Sequence, residues 1–124
     1  MAAFIDDTVF DAALNLIKTT GDKLHILSSG VTALANVAAA SLGNKALTSG
    51  NYTGPEDHTT GRKITEAAIT DGSVTGTGTA SHFCIIDEGT KLLITQELNA
   101  SQGVTSGNIF TLTAVIIAIP DPTA

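Results

Sequence analysis

The second half of the chain constrains the fold most, because short apolar segments alternate there with sequences typical of tight turns. Asp71-Gly72 and the segment from Asp87 to Thr90 have turn composition, and Pro120 ends the last apolar run. The pattern predicts four strands and one polar loop, the strands over residues 62–70, 73–86, 91–97 and 109–119 and the loop over 99–108. Short strands joined by tight turns indicate an antiparallel sandwich or barrel, with a jelly roll as one such form.

A helix is predicted near the amino terminus, over residues 8–20. Asp6 or Asp7 supplies a side-chain oxygen that caps the first turn, and Gly21 follows the last turn. Six apolar residues recur at helical spacing and form one broad apolar face: Val9, Phe10, Ala13, Leu14, Leu16 and Ile17. The predicted fold class is therefore mainly β with an N-terminal helix, a β-rich α+β protein.

The segment between these two parts predicts short elements of both kinds. Residues 23–27 predict a strand, residues 32–40 a short alanine-rich helix and residues 41–47 a further strand. Residues 48–61 combine glycine, proline and short polar side chains, so they predict a long loop. Neither the helical part nor the β-portion over 62–119 is large enough to be stable on its own, so residues 1–124 are predicted to form a single domain.

The charge balance limits the partners of the protein. The chain has 6 Lys and Arg residues against 12 Asp and Glu residues, a formal net charge of −6 at pH 7. Nucleic acids and anionic membranes bind clusters of basic residues, so neither is expected as a partner. The sequence has no apolar run that could span a bilayer and no signal-peptide pattern, so a soluble protein made in a cytoplasm is expected.

The low charge content also favours self-association. Charged residues make up 15% of the chain, which suits strands that pack against other subunits. A β-protein must cover or pair the open edges of its sheets. A homo-oligomer is therefore expected.

The segment Val74 to Thr79, with the sequence VTGTGT, is the most unusual local pattern. A glycine-rich loop that binds phosphate follows a strand and opens a helix, whereas this segment leads into another apolar strand. The alternative is a strand whose threonines share one face, while Gly76 and Gly78 allow a second backbone to come close. That structural interpretation is favoured.

His82 and Cys84 are the residues most open to a chemical interpretation. They lie two positions apart, so in a strand their side chains share a face. They are interpreted as a nucleophile with its base, as two metal ligands, or as structural residues in the core or at an interface. Catalysis needs an orienting third group and a metal needs further ligands, so the structural interpretation is favoured. No enzymatic activity, catalytic residue, cofactor or metal is expected.

Three stretches together resemble a group of small virion proteins of tailed bacteriophages. They are SLGNK at residues 41–45, DGSVTGTGTASHF at 71–83 and QGVTSGNIFTL at 102–112, and the resemblance covers most of the chain. Phe83 departs from the pattern, because a tryptophan is expected after the histidine. The resemblance implies a virion structural protein with no catalytic residues, located in the virion and made in the host cytoplasm.

The role favoured within this resemblance is capsid decoration, in which a small protein bridges neighbouring capsid subunits and stabilises the shell. The expected partners are the major capsid protein or other virion subunits. A tail, collar or fibre-associated subunit is the first alternative. A carbohydrate- or receptor-binding β-sandwich module is the second, with the loops at 48–61 and 99–108 as its binding rim.

Five residues are candidates for an interface. Phe4 and Ile5 precede the helix, where they either fold back as a staple on the helix or form an arm that docks on a neighbour. Tyr52, the single tyrosine, lies in the predicted loop, and His82 and Phe83 adjoin the glycine-rich segment. Phe4 and Ile5 are costly to leave in water, at about 1.5–3 kcal/mol each for a fully buried equivalent.

Overall fold

The computed structural model describes residues 4–122, and within them helix α1 spans Asp7–Thr20. Asp6 is the N-cap, and its Oδ1 accepts a hydrogen bond from the Thr8 backbone N–H at 2.8 Å. A second helix, α2 (Val37–Ala40), follows a 3₁₀ turn at Leu34–Asn36. The helix expected over 32–40 is thus a 3₁₀ turn and one α-helical turn.

Residues 4–122 also contain nine strands. In chain order they are β1 (Lys23–Leu27), β2 (Ser41–Ala46), β3 (Tyr52–Asp57), β4 (Arg62–Glu66), β5 (Ile69–Val74), β6 (Gly78–Asp87), β7 (Lys91–Val104), β8 (Ile109–Leu112) and β9 (Val115–Ile119). They form a six-stranded sheet in the order β7-β6-β1-β2-β5-β8 and a three-stranded sheet in the order β3-β4-β9. The strand pairs are antiparallel, and the large sheet curls into a half-barrel. The predicted β-rich α+β class with an N-terminal helix is confirmed.

The main core lies between α1 and the two sheets. Leu14 of α1 packs there with Leu24 and Ile26 of β1, with Ile64 of β4 and with Ile85 of β6. A smaller cluster occupies the opposite face of the large sheet, where the segment from Val31 to Ala40 covers it. Both faces of β6 are therefore buried, which explains the continuous apolar run at its centre.

Polar contacts join α1 to the three-stranded sheet. The Arg62 guanidinium donates from Nε to Asp11 Oδ1 at 2.8 Å and from Nη2 to Asp11 Oδ2 at 3.2 Å. The same side chain donates from Nη1 to Asp57 at 2.7 Å. At the other end of the helix, Lys18 Nζ donates to the carbonyl oxygen of Gly54 at 2.8 Å. These contacts hold the helix along β3 and β4.

The loop expected over residues 48–61 is wrong for most of that range. It contains a 3₁₀ turn at Ser49–Asn51 and the strand β3, which pairs with β4. The register of this pair shifts between Thr53 and Glu56, so the ladder passes around Gly54 and Pro55 instead of stopping there. The composition of the segment is that of a loop, but the neighbouring strand supplies its hydrogen bonds.

The hairpin turn expected at Asp71-Gly72 is also wrong, because both residues lie inside β5. Gly72 pairs with Phe110 of β8, and a Cβ atom at Gly72 would overlap the Phe110 ring. Glycine is required there by close packing across the strands, not by a turn. The strand expected over 62–70 is accordingly two strands, β4 and β5, and the strand expected over 73–86 begins at Gly78.

The loop predicted over residues 99–108 and the strand predicted over residues 109–119 also differ from the structure. Strand β7 continues to Val104, so most of the loop predicted over 99–108 is strand. The strand predicted over 109–119 is interrupted at Thr113 and Ala114, and its two halves, β8 and β9, belong to different sheets. This corner carries the chain from one sheet to the other.

Candidate interaction surfaces

Part of the solvent side of α1 is apolar, beside the exposed polar residues Thr8, Asn15 and Thr19. Val9 is 57% exposed and Leu16 is 48% exposed, and Ala12 and Ala13 between them are exposed too. Positions 9, 12, 13 and 16 lie on one side of a helix, and Ile5 lies on the surface just before the N-cap Asp6. We call Ile5, Val9, Ala12, Ala13 and Leu16 the outer face of α1.

The outer face divides what the sequence predicts as one broad apolar face. Phe10 and Leu14 are buried against the sheets, and Ile17 packs beside them. Val9, Ala13 and Leu16 point away from that core. An exposed helix surface in a monomer is usually polar, so an apolar stripe on the outer side is a candidate contact surface.

A groove lies where three strand edges meet. Strands β7 and β8 are the two edges of the large sheet, and β9 is an edge of the small one. The groove is lined by residues 96–100 and 102 of β7, by residues 111–116 around the β8–β9 corner and by Phe83, and its volume is about 560 Å³. Gln102 Nε2 donates to the Thr111 carbonyl oxygen at 3.2 Å and links the two sides. We call it the three-edge groove.

The buried part of the groove lining is apolar, and the exposed part is mostly polar. Leu98, Leu112 and Val115 are partly or fully buried, and Ile116 is half-exposed. Glu97 is the one charged residue among the lining residues. Strand β7 bulges beside this groove. Gln102 pairs with Ala80 and Glu97 pairs with His82, so the four residues 98–101 of β7 lie opposite the single residue Ser81 of β6.

Of the five candidate interface residues, Phe4 and Ile5 are on the surface. Phe4 is 82% exposed and Ile5 is 40% exposed. Tyr52 is a correction: it is buried in the main core, and its hydroxyl donates to the Gly21 carbonyl oxygen at 3.1 Å. Burial raises the pKa of the Tyr52 hydroxyl, and the nearby Glu66 carboxyl raises it further. Tyr52 begins β3, which pairs with β4, and its side chain packs in the main core.

His82, Phe83 and Cys84 occupy neighbouring places in β6. Phe83 belongs to the main core and lines the three-edge groove at its base. His82 is half-buried on the opposite side, with its Nδ1 2.8 Å from Ser81 Oγ and its ring beside Gly30. Cys84 is fully buried in the smaller cluster, where burial raises the pKa of the thiol to about 11. A buried thiol with so high a pKa is a poor nucleophile at neutral pH.

The glycine-rich segment is a short connection between β5 and β6. The backbone N–H groups of Thr75 and Gly76 both donate to the Leu42 carbonyl oxygen, at 2.9 Å and 3.1 Å. Gly76 and Gly78 lie against the Leu42 side chain. The segment is thus hydrogen-bonded to β2, but a Cβ atom at Gly76 would lie 3.6 Å from Leu42 Cδ2, an ordinary contact, and the segment from Thr75 to Thr77 is not itself a strand.

Glu66 is a buried carboxyl group that the sequence does not predict. It ends β4, its side chain is completely buried, and neither carboxyl oxygen has a hydrogen-bond partner among the described residues. Burial raises its pKa to about 7. In the sequence this residue is an ordinary glutamate in an alternating strand, and no local signal indicates its burial.

Within residues 4–122, no three His, Cys, Asp or Glu side chains come together as a metal site would need. Over the same range no helix has the length and apolar character required to cross a membrane. Comparisons with protein-family models, with curated proteins and with solved structures found no match to this chain. Its surfaces are therefore the basis for a functional proposal.

Proposed function

We propose that this chain is a non-enzymatic structural subunit of a bacteriophage virion, with capsid decoration as its specific role. The outer face of α1 carries the proposal. A helix in a small protein ordinarily presents charged and polar side chains to water, whereas one stripe of this helix presents Val9, Ala12, Ala13 and Leu16. Such a face is stable in water only at a cost that association with another subunit removes.

The sequence resemblance to small virion proteins of tailed phages supports the same role. A decoration protein binds the major capsid protein at many equivalent sites, so a modest contact at each site stabilises the whole shell. A standard interface buries about 1,600 Å² in total, and the exposed Phe4 beside the outer face of α1 adds to the apolar surface that such a contact would bury. We further propose that the protein self-associates, is made in the host cytoplasm and resides in the virion.

A tail, collar or fibre-associated subunit is the alternative within the virion, since the same face serves any lattice of neighbours. The carbohydrate-binding alternative is less well supported. Sugar sites use exposed aromatic rings, and of the five aromatic residues in this chain only Phe4 is exposed. Tyr52, the aromatic residue within the loop predicted at 48–61, is buried.

The test has two parts. Quantitative mass spectrometry of purified virions of the phage that encodes the chain measures its copy number, which we expect to match a set of capsid lattice sites. Leu16→Lys on the outer face is expected to abolish capsid binding in a sedimentation assay. Asn15→Lys, at an exposed position beside that face, is the matched control and retains binding. Absence of the protein from virions, or equal binding by both variants, contradicts the proposal.

A further inference from the structure

The three-edge groove lies among three edge strands and has an apolar base. Strands β7, β8 and β9 each have a single hydrogen-bonded neighbour strand in the described sheets, and residues of all three line the groove. A free edge offers a row of N–H donors and C=O acceptors. The natural complement of such a row is another extended backbone, which adds to the edge as a further strand.

The side chains of the groove suit the same kind of ligand. An added strand directs alternate side chains to one side, where they need an apolar surface. Leu98, Leu112 and Ile116 provide that surface, and the volume of about 560 Å³ lies within the usual range of ligand clefts, ~300–1,000 Å³. Gln96 and Thr113 at the rim are exposed and polar, as at the border of a peptide-binding site.

The acidic charge of the groove and of the chain favours an occupant of the groove that comes from a different polypeptide. Glu97 is acidic and the chain carries a net charge of −6. The described ends of a second copy are poor occupants, because Asp6 and Asp7 follow Phe4 and Ile5 at one end, and Asp121 lies between two prolines at the other. Acidic groups beside Glu97 repel, and proline lacks the N–H that an edge strand must donate.

We propose that the three-edge groove binds an extended segment of another polypeptide by strand addition, and that this segment has alternate apolar side chains and a Lys or Arg beside Glu97. The identification of that polypeptide as a virion subunit rests on the proposed function. The binding mode itself rests on the strand edges and on the groove lining. The outer face of α1 is a separate surface with its own test.

The experiment titrates the isotope-labelled full chain with a synthetic peptide and follows amide chemical shifts. The probe is an acetylated, amidated peptide about eight residues long, a usual strand length, with alternating valine and threonine and one central lysine. We expect shifts in residues 96–100 and 111–116. We also expect binding to weaken at least about tenfold when alternate peptide nitrogens are methylated, because this removes the donors that pair with the edge.

Two isoleucine variants locate the site. Ile116→Lys introduces a charge inside the groove, at a residue 48% exposed, and we expect at least about tenfold weaker binding. Ile109→Lys is the matched control, because Ile109 is 66% exposed on β8 but does not line the groove. Thermal unfolding of both variants checks that the fold is retained.

Several outcomes overturn the proposal. They are no shifts with the probe, equal binding of the methylated peptide, or equal weakening by both isoleucine variants. Concentration-dependent shifts of the groove amides in the protein alone would assign the groove to a second copy, which also overturns it. If Ile116→Lys binds the peptide weakly and the wild-type protein is missing from virions, the groove proposal stands while the proposed function fails.

Discussion

Tyr52 and Glu66 are paired across β3 and β4, and both side chains are buried, but only the tyrosine hydroxyl has a partner. The Cα atoms of the two residues are in register, and the Tyr52 hydroxyl donates to the Gly21 carbonyl oxygen at 3.1 Å. The Glu66 carboxyl has neither a cation nor a donor beside it among the described residues. The cost of burying this carboxyl therefore depends on its protonation state.

The first prediction concerns the pH dependence of stability. Burial raises the pKa of Glu66 from 4.5 to about 7, so the folded protein holds a proton that the unfolded chain releases. The contribution of Glu66 to the free energy of unfolding is then highest below about pH 4.5, falls as the pH rises to about 7, and levels off above that. The loss from this residue is ~3 kcal/mol at 1.36 kcal/mol per pKa unit. Urea unfolding between pH 4.5 and 8.5 measures it.

Glu66→Gln imitates the protonated side chain and is expected to remove this slope, so that the variant is more stable than the wild type at pH 8 and similar at pH 4.5. Glu56→Gln, at an exposed position of β3, is the matched control and keeps the wild-type pH profile. A wild-type profile that rises between pH 5 and 7 and is unchanged in Glu66→Gln would show that the carboxyl is ionised in the fold.

The second prediction concerns the packing at the end of α1. A Cβ atom at Gly21 would lie 2.6 Å from the Ile17 carbonyl oxygen, 2.8 Å from Ile85 Cγ2 and 2.8 Å from the Tyr52 hydroxyl. Gly21→Ala is therefore expected to destabilise the protein by ~1–3 kcal/mol, the usual cost of overpacking. Gly103→Ala is the control, since nothing lies within 4 Å of its Cβ position. Equal melting temperatures of the two variants would contradict this account.

The third prediction concerns the single thiol. Cys84 is completely buried in the smaller cluster, where burial raises its pKa to about 11. We expect a thiol reagent to modify the folded protein slowly at pH 8 and the urea-unfolded protein at once. Cys84→Ser places a hydroxyl among apolar side chains and is expected to cost ~1–3 kcal/mol of stability. Rapid labelling of the folded protein would contradict the burial.

The fourth prediction decides between a staple and an arm at the amino terminus. Phe4 is 82% exposed, and residues 1–3 lie outside the described residues. Deletion of residues 1–5 is expected to leave the melting temperature unchanged, because so exposed a side chain contributes little to the core, and to weaken capsid binding. A truncated protein that melts markedly lower yet still binds capsids would support the staple instead. Differential scanning calorimetry and capsid sedimentation measure the two effects.

The sequence alone determined the features that depend on neighbouring residues. Asp6 caps α1 because a side-chain oxygen and the free N–H groups of a first turn lie within the same few residues. Strand β1 has the bounds predicted for it, and the fold class follows from the many short strands. Each of these is a local property, so no distant contact was needed to predict it.

The tertiary structure decided the features that depend on residues far apart in the sequence. Helical spacing gives α1 a broad apolar face, but only the position of the sheets leaves Val9 and Leu16 in water while Leu14 is buried. Asp71 and Gly72 lie within a strand because Gly72 pairs with Phe110, which is distant in the chain, and the Phe110 ring fills the space beside Gly72. Glu66 is buried because it lies two residues after Ile64, on the face of β4 that the main core covers. Burial is a property of the assembled elements, so composition and periodicity do not determine it.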